Sequence, residues 1–222
     1  MDFDAIVLAG GRGSRVGGAA KVLGQVNGAT LLRRALDAGV GARRTVVVGP
    51  PSLATHIGTA ALVREEPPFG GPVAAIAAGC AALPEPAEWT LVLAADHVDP
   101  AAAVAAVLGS AAAAVLESAA ADAAAADAAA ADGAMAVDDG RDQYLLAVYR
   151  SGSLRAALAA MPTVDGVSVR TLTQGLRLHR VAVPAGAARD VDTPDDAATA
   201  GVTLPRTEPP STATPTPRTM DA

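Results

Sequence analysis

Aromatic residues are nearly missing from this chain: Trp, Tyr and Phe make up 2% of its 222 residues. A core without them must be aliphatic, assembled from Val, Leu, Ile and Ala. A reader of single-stranded nucleic acid, which stacks bases on aromatic rings, is excluded. An excess of positive charge is missing as well. The formal net charge is −6, whereas gripping a phosphate backbone requires a basic face. Any phosphate held here belongs to a small molecule in a local pocket. Cys80 is the sole cysteine, so no intrachain disulfide and no multi-cysteine metal site can form. Long apolar runs are also lacking. Discounting alanine, no stretch approaches the roughly 18–20 residues of a bilayer span, and Asp122, Asp127 and Asp132 interrupt the most alanine-rich region. The opening MDFDAIVLAGG carries two acids and no basic segment, so no secretory signal is expected. These absences lead to the expectation of a reduced, cytoplasmic protein that binds neither nucleic acid nor membrane.

What the chain has is an alternation of strand and helix patterns. AIVLAG (5–10) is a short β-branched run ending in glycine, as suits a buried parallel strand. A glycine loop follows, then a helix capped by Thr30, with Leu31, Leu32, Ala35 and Leu36 on one face and Gly39 and Gly41 at its end. RTVVVGP (44–50) is the next strand, and strand, helix, strand with short connections specifies a parallel crossover. ALVRE (61–65) suits a short strand and EEPPFGGP (65–72) a turn. VAAIAAGCAAL (73–83) suits a helix in which Cys80 packs. WTLVLAAD (89–96) is a buried strand ending on a charge. Residues 100–116 read as helix, and GAMAVDDGRDQYLLAVYR (133–150) as a hairpin turning at DDGRD. Residues 153–161 read as helix, 168–173 and 177–183 as strand-like runs, and RDVDTPDDAATAG (189–201) as a loop and a helix capped at Thr193 with Pro194 first. The fold expected is α/β, three-layer, with a Rossmann-like, mostly parallel sheet. One domain covers 1–201. It contains the low-complexity segment 118–133, whose aspartates, five residues apart, advance about 140° around a helix and share no face. Residues 202–222, rich in Pro, Thr and Ser, are expected to form a disordered tail.

The loop LAGGRGSRVGGAAK (8–21) surrounds Arg12, Arg15 and Lys21 with glycines. A Walker A frame needs lysine directly after the last glycine, and here Ala19 and Ala20 intervene. A dinucleotide frame fails because Ser14, Arg15 and Val16 follow Gly13. Glycines nevertheless let backbone amides approach an anion that the cations neutralise; the other reading is a mobile loop. Asp96 ends a central strand, where open α/β sheets place ligands. It is either a ligand of Mg²⁺, which favours carboxylates together with phosphate oxygens, or a helix cap. His97 is expected at the surface, and Asp99 as the cap before Pro100. Asp190 and Asp192 alternate along an extended segment, so one of them faces a metal at Asp96. Asp195 and Asp196 suit a first helical turn. Glu65 and Glu66 are a solvated pair or hydrogen-bonding groups for a ligand.

Taken in order, LAGG (8–11), Arg15, the GG-x-x-K of Gly17 to Lys21, EEPPFGGPVAAIAAG (65–79), LVLAAD (91–96), YLLAVYR (144–150) and VDTPDD (191–196) resemble the family of molybdenum cofactor guanylyltransferases (MobA-like NTP transferases). The resemblance implies an Mg²⁺-dependent enzyme that transfers GMP from GTP to the terminal phosphate of molybdopterin and releases pyrophosphate. It implies nucleotide contacts from Leu8, Ala9, Gly10, Gly11 and Gly13, and phosphate neutralisation by Lys21 with Arg15. It implies Mg²⁺ on Asp96 and Asp192, with Asp190 beside them, and an acid at Glu66 that reads the guanine edge, with Glu65 as the alternative. GTP and molybdopterin are the implied ligands, molybdoenzymes or their chaperones the implied partners, and a monomer or weak oligomer the implied state. The chain departs from the family pattern at Val16, usually methionine, and at Ala20, usually an aspartate able to organise Lys21. Asp192 replaces an asparagine and adds negative charge near the metal, and Glu66 reaches further than the usual aspartate. The departures leave alternatives: a molybdopterin cytidylyltransferase, another sugar or cofactor nucleotidyltransferase, or a catalytically weakened nucleotide-binding relative.

Overall fold

The computed structural model describes residues 1–11, 19–120 and 131–205. In chain order the elements are β1 (Phe3–Leu8), α1 (Ala19–Val22), β2 (Gln25–Val26), β3 (Ala29–Thr30), α2 (Leu31–Ala38), β4 (Thr45–Val48), a 3₁₀ turn (Pro51–His56), β5 (Ala61–Val63), α3 (Pro72–Ala81), β6 (Trp89–Ala94) and α4 (Ala101–Ala120). They continue with β7 (Gly133–Asp138), β8 (Arg141–Arg150), α5 (Ser151–Ala159), α6 (Val169–Leu172), β9 (Leu178–Ala182) and α7 (Pro194–Thr199).

The runs rich in Val, Leu and Ile become the middle of a seven-stranded sheet ordered β5-β4-β1-β6-β8-β7-β9. β1 lies parallel to both β4 and β6, and β8 runs antiparallel to both of its neighbours. The result is the mostly parallel, three-layer α/β architecture expected from the sequence. Every residue of β1 and of β6 is buried, Asp4 and Thr90 included, as mainly apolar strands covered on both faces require. Alternate side chains feed two cores. Ala5 and Val7 join Leu32 and Ala35 of α2 and Val104 and Val107 of α4 on one face. Ile6 and Leu8 join Val73, Ile76 and Cys80 of α3 on the other. Gly79 permits that second contact, since a Cβ there would stand 2.6 Å from Cγ2 of Ile6. From β1 the chain moves outward to β4 and β5 and then returns to β6 on the other side of β1. The strand order therefore reverses between β1 and β6, and a crevice opens at their carboxyl ends.

Local signals hold in detail. Thr30 caps α2 by accepting the Arg33 amide at 3.1 Å. The β7–β8 hairpin turns through Asp139 (φ 48) and Gly140 (φ 75), the left-handed pair of a type I′ turn. Thr193 and Asp196 form a reciprocal capping box with Pro194 in the first turn of α7. Three expectations need correction. Residues 168–173 are not strand-like: Ser168 accepts the Thr171 amide at 3.2 Å, and Val169 and Leu172, three apart, both turn inward as helix α6. The tail does not begin at 202. Val202 packs with Leu31, Val191 and Ala197, and Thr203 and Gln25 exchange backbone hydrogen bonds of 2.8 and 2.9 Å. Asp99 does not cap α4, which starts at Ala101; its carboxylate meets Arg34 at 3.1 Å. The rest of the expected tail, 206–222, and most of the alanine–aspartate segment lie outside the described residues. Among the described residues no helix is long and apolar enough to cross a membrane.

Candidate active site

The crevice between β1 and β6 contains a cavity of about 280 Å³. Its floor is the end of β1: Leu8, Gly10 and Gly11 line it, with Asp96 from the end of β6 and Glu65 from the segment after β5. Gly11 has φ +139 with nothing near its missing side chain, so glycine is required there for conformation and not for space. Ala9 lies beneath the lining. It is buried in the core, and its amide donates to the Val48 carbonyl at 2.8 Å, which fixes the path of the chain into the loop. Gly71 and Pro72 bring the amino end of α3 to the opposite wall, where first-turn amides have no partner within the helix.

At the rim, the Lys21 ammonium donates to Asp96 Oδ2 at 2.7 Å and to Asp192 Oδ1 at 2.7 Å. Burial opposes the charged lysine, but the charge of Asp96 and hydrogen bonds to both carboxylates outweigh it and hold its pKa above the usual value. The two acids lie far apart in the sequence and are joined by backbone. The Val98 amide donates to the Arg189 carbonyl at 2.8 Å, the Val191 amide donates to the Asp96 carbonyl at 3.2 Å, and His97 and Asp190 form an antiparallel bridge. Further back, the buried Asp138 accepts the Gly186 and Ala188 amides, each at 3.0 Å. Forward, Asp196 accepts the Asp192 and Thr193 amides at 3.1 and 2.8 Å. The segment from 186 to 193 is therefore tied down on both sides of Asp192.

The arrangement also defines what the acids can hold. One cation already lies within hydrogen-bonding distance of an oxygen from each of two carboxylates. Two carboxylates close enough to share one cation are a donor set Mg²⁺ accepts alongside phosphate oxygens, so Asp96, which lines the cavity, and Asp192 beside it fit that ion. Of the alternating pair, Asp192 shares Lys21 with Asp96. Desolvation of the Asp190 carboxyl, followed by the charges of Asp192 and Asp96, raises its pKa, which makes it the poorer anion of the set.

The structure gathers Leu8, Gly10, Gly11, Lys21, Asp96 and Asp192 at one crevice. Arg15 and Gly13 lie outside the described residues. Glu66 is exposed and absent from the cavity lining, whereas Glu65 is buried and accepts the Phe69 amide through Oε1 at 3.0 Å. His97 is not at the surface. It is 4% exposed, and burial lowers its pKa against the pull of Asp96 and Asp190. Asp138 was not singled out by the sequence, because its partners lie 48 and 50 residues further on.

Comparison with known proteins identifies the family and the fold. The family model described as the MobA-like NTP transferase domain matches residues 5–181. No curated protein matches. Among solved structures, a molybdopterin-guanine dinucleotide biosynthesis protein A from Archaeoglobus fulgidus superposes with a TM-score of 0.60 at 20% identity, covering 89% of this chain and 96% of that one. A nucleotidyl transferase from Methanothermobacter thermautotroptrophicus gives 0.61 at 18% identity, over 88% and 94%. A 2-C-methyl-D-erythritol 4-phosphate cytidylyltransferase from Thermus thermophilus gives 0.56 at 17% identity, over 90% and 97%. At these identities the likeness speaks for the fold alone.

Proposed function

Because the chain belongs to the MobA-like NTP transferase domain family, we propose that it transfers GMP from GTP to the terminal phosphate of molybdopterin. The observation that carries this reading is the Lys21–Asp96–Asp192 cluster at the mouth of the β1 loop. In the reaction, an oxygen of the acceptor phosphate forms a bond to the α-phosphorus of GTP. The bond from that phosphorus to the bridging oxygen breaks, and its electron pair leaves with pyrophosphate.

Such a transfer asks little covalent chemistry of the protein; positioning and charge neutralisation do the work. Gly10 and Gly11, without side chains, let the triphosphate lie against the backbone. Lys21 meets its charge, with Arg15 assigned the same task. Asp96 and Asp192 are the residues that would hold Mg²⁺, which when bound supplies Lewis-acid neutralisation of the phosphates. Glu65 is the acid placed to accept from the base. A carboxylate accepts but cannot donate, so it suits a base edge that offers N–H groups, as guanine does with its ring N–H and amino group. Glu65 thereby takes the base-reading role for which Glu66 was the first expectation.

Calorimetric titration of the protein with GTP and with CTP, each with Mg²⁺, tests the assignment. GTP should bind the tighter. Tighter binding of CTP would remove the guanine assignment and leave the cytidylyl alternative.

A further inference from the structure

We propose that Lys21 is a placeholder for the metal, so that a divalent cation enters this site together with the triphosphate and not before it. The proposal rests on the nucleotidyl-transfer reading above. The two carboxylate oxygens that would hold a metal already share a cation: the Lys21 ammonium stands 2.7 Å from Asp96 Oδ2 and 2.7 Å from Asp192 Oδ1. Both are charge-assisted hydrogen bonds near the short end of the range. The Lys21 side chain is 12% exposed, so water competes weakly for it.

Three consequences follow from that placement. A metal arriving alone competes with the ammonium for the same lone pairs, and the two cations repel while both are near. Expelling the ammonium without a new partner would leave a largely buried charge unpaired, which is costly. A triphosphate removes both obstacles, because its oxygens, entering the cavity lined by Gly10 and Gly11, accept the ammonium while the metal takes the carboxylates. The four-carbon lysine stem swings its three donors between these acceptors without a backbone movement. Metal and nucleotide are then positively coupled through Lys21, while metal and ammonium exclude each other. A purely structural ion pair makes the opposite forecast: removing the lysine would loosen the carboxylates and weaken metal binding.

Binding of Mn²⁺, followed by electron paramagnetic resonance with and without GTP, distinguishes the two. The wild-type protein should bind Mn²⁺ weakly alone and strongly with GTP. Lys21→Met should bind Mn²⁺ alone about tenfold more tightly than wild type, within the usual range of coupling between competing ligands, and GTP should improve that affinity much less. Lys21→Gln, which keeps length and polarity, should behave likewise and serves if the methionine variant folds poorly. Unchanged or weaker Mn²⁺ binding by the folded variants overturns the placeholder role even where wild type takes up GTP with Mn²⁺. Failure of the wild type to take up any nucleotide with Mn²⁺ overturns the transferase reading instead.

Discussion

Asp138→Ala should destabilise the protein and loosen the proposed metal site together. The carboxylate is buried at the end of β7 and accepts two backbone amides, from Gly186 and Ala188, at 3.0 Å each. Ala188 is itself buried, so its amide loses this acceptor with no ready access to water, at about 1–3 kcal/mol. Gly186 is exposed, and solvent replaces much of what its amide loses. Adding the lost charge-assisted hydrogen bonds gives a total of about 2–4 kcal/mol. For a domain of this size that corresponds to a fall in melting temperature of about 4–16 °C. Asp138→Asn retains one acceptor oxygen and should lose roughly half as much. Urea denaturation gives the free energy, and Mn²⁺ binding in the presence of GTP reports the site, because the segment from 186 onward carries Asp192. A stability within about 0.5 kcal/mol of wild type, the scatter of an ordinary surface substitution, would show that Asp138 does not hold this segment.

Cys80 should be inert in the native protein: burial pushes its thiol up to about 11 against the opposing charge of Arg155, so little thiolate forms near neutral pH. Ellman's reagent at pH 8 should modify it only after denaturation, and rapid native labelling would contradict the packing role. Acid should erode stability through two carboxyls whose pKa values are depressed. Asp196 is held down by the Thr193 hydroxyl and amide and by the Asp192 amide. At Asp132, burial opposes ionisation, but the Arg177 amide, Ser153 and the Arg177 charge overcome it. A depressed carboxyl contributes fully above its unfolded value, near 4, and its contribution disappears as the pH falls through the lower, folded value. Melting curves at pH 5 down to pH 2.5 should therefore flatten in the double variant Asp132→Asn, Asp196→Asn relative to wild type; parallel curves would refute that origin.

Much of the fold was legible because its determinants are local. The largely apolar β1 and β6, the Thr30 and Thr193 caps, and the Asp139-Gly140 turn each depend on neighbours a few residues away. The same holds for the strand-end position of Asp96 and the glycines behind β1. What escaped the sequence depends on distance along the chain. Lys21 and Asp192 were each recognisable as charged residues in suitable loops, but their pairing spans 171 residues and no spacing rule encodes it. Asp138 read as part of a turn because the amides it holds arrive from the far side of β9. His97 read as a surface residue because the bridge that covers it comes from Asp190. That Glu65 and not Glu66 lines the cavity goes with a turn in which Glu65 accepts the Phe69 amide. Ala20 and Asp192 also look different together: where an aspartate beside the lysine is missing, Asp192 supplies a carboxylate to Lys21.

The central claim is that Asp96 and Lys21 serve nucleotidyl transfer at this crevice, and pyrophosphate release measures it most directly. With Mg²⁺, GTP and molybdopterin present, the wild-type protein should release pyrophosphate and form the guanine dinucleotide product. Asp96→Ala, folded to the same extent, should lose about a thousandfold or more of that rate, the scale expected when a principal source of charge stabilisation is removed. Pyrophosphate release by Asp96→Ala at a rate near that of wild type would contradict the account.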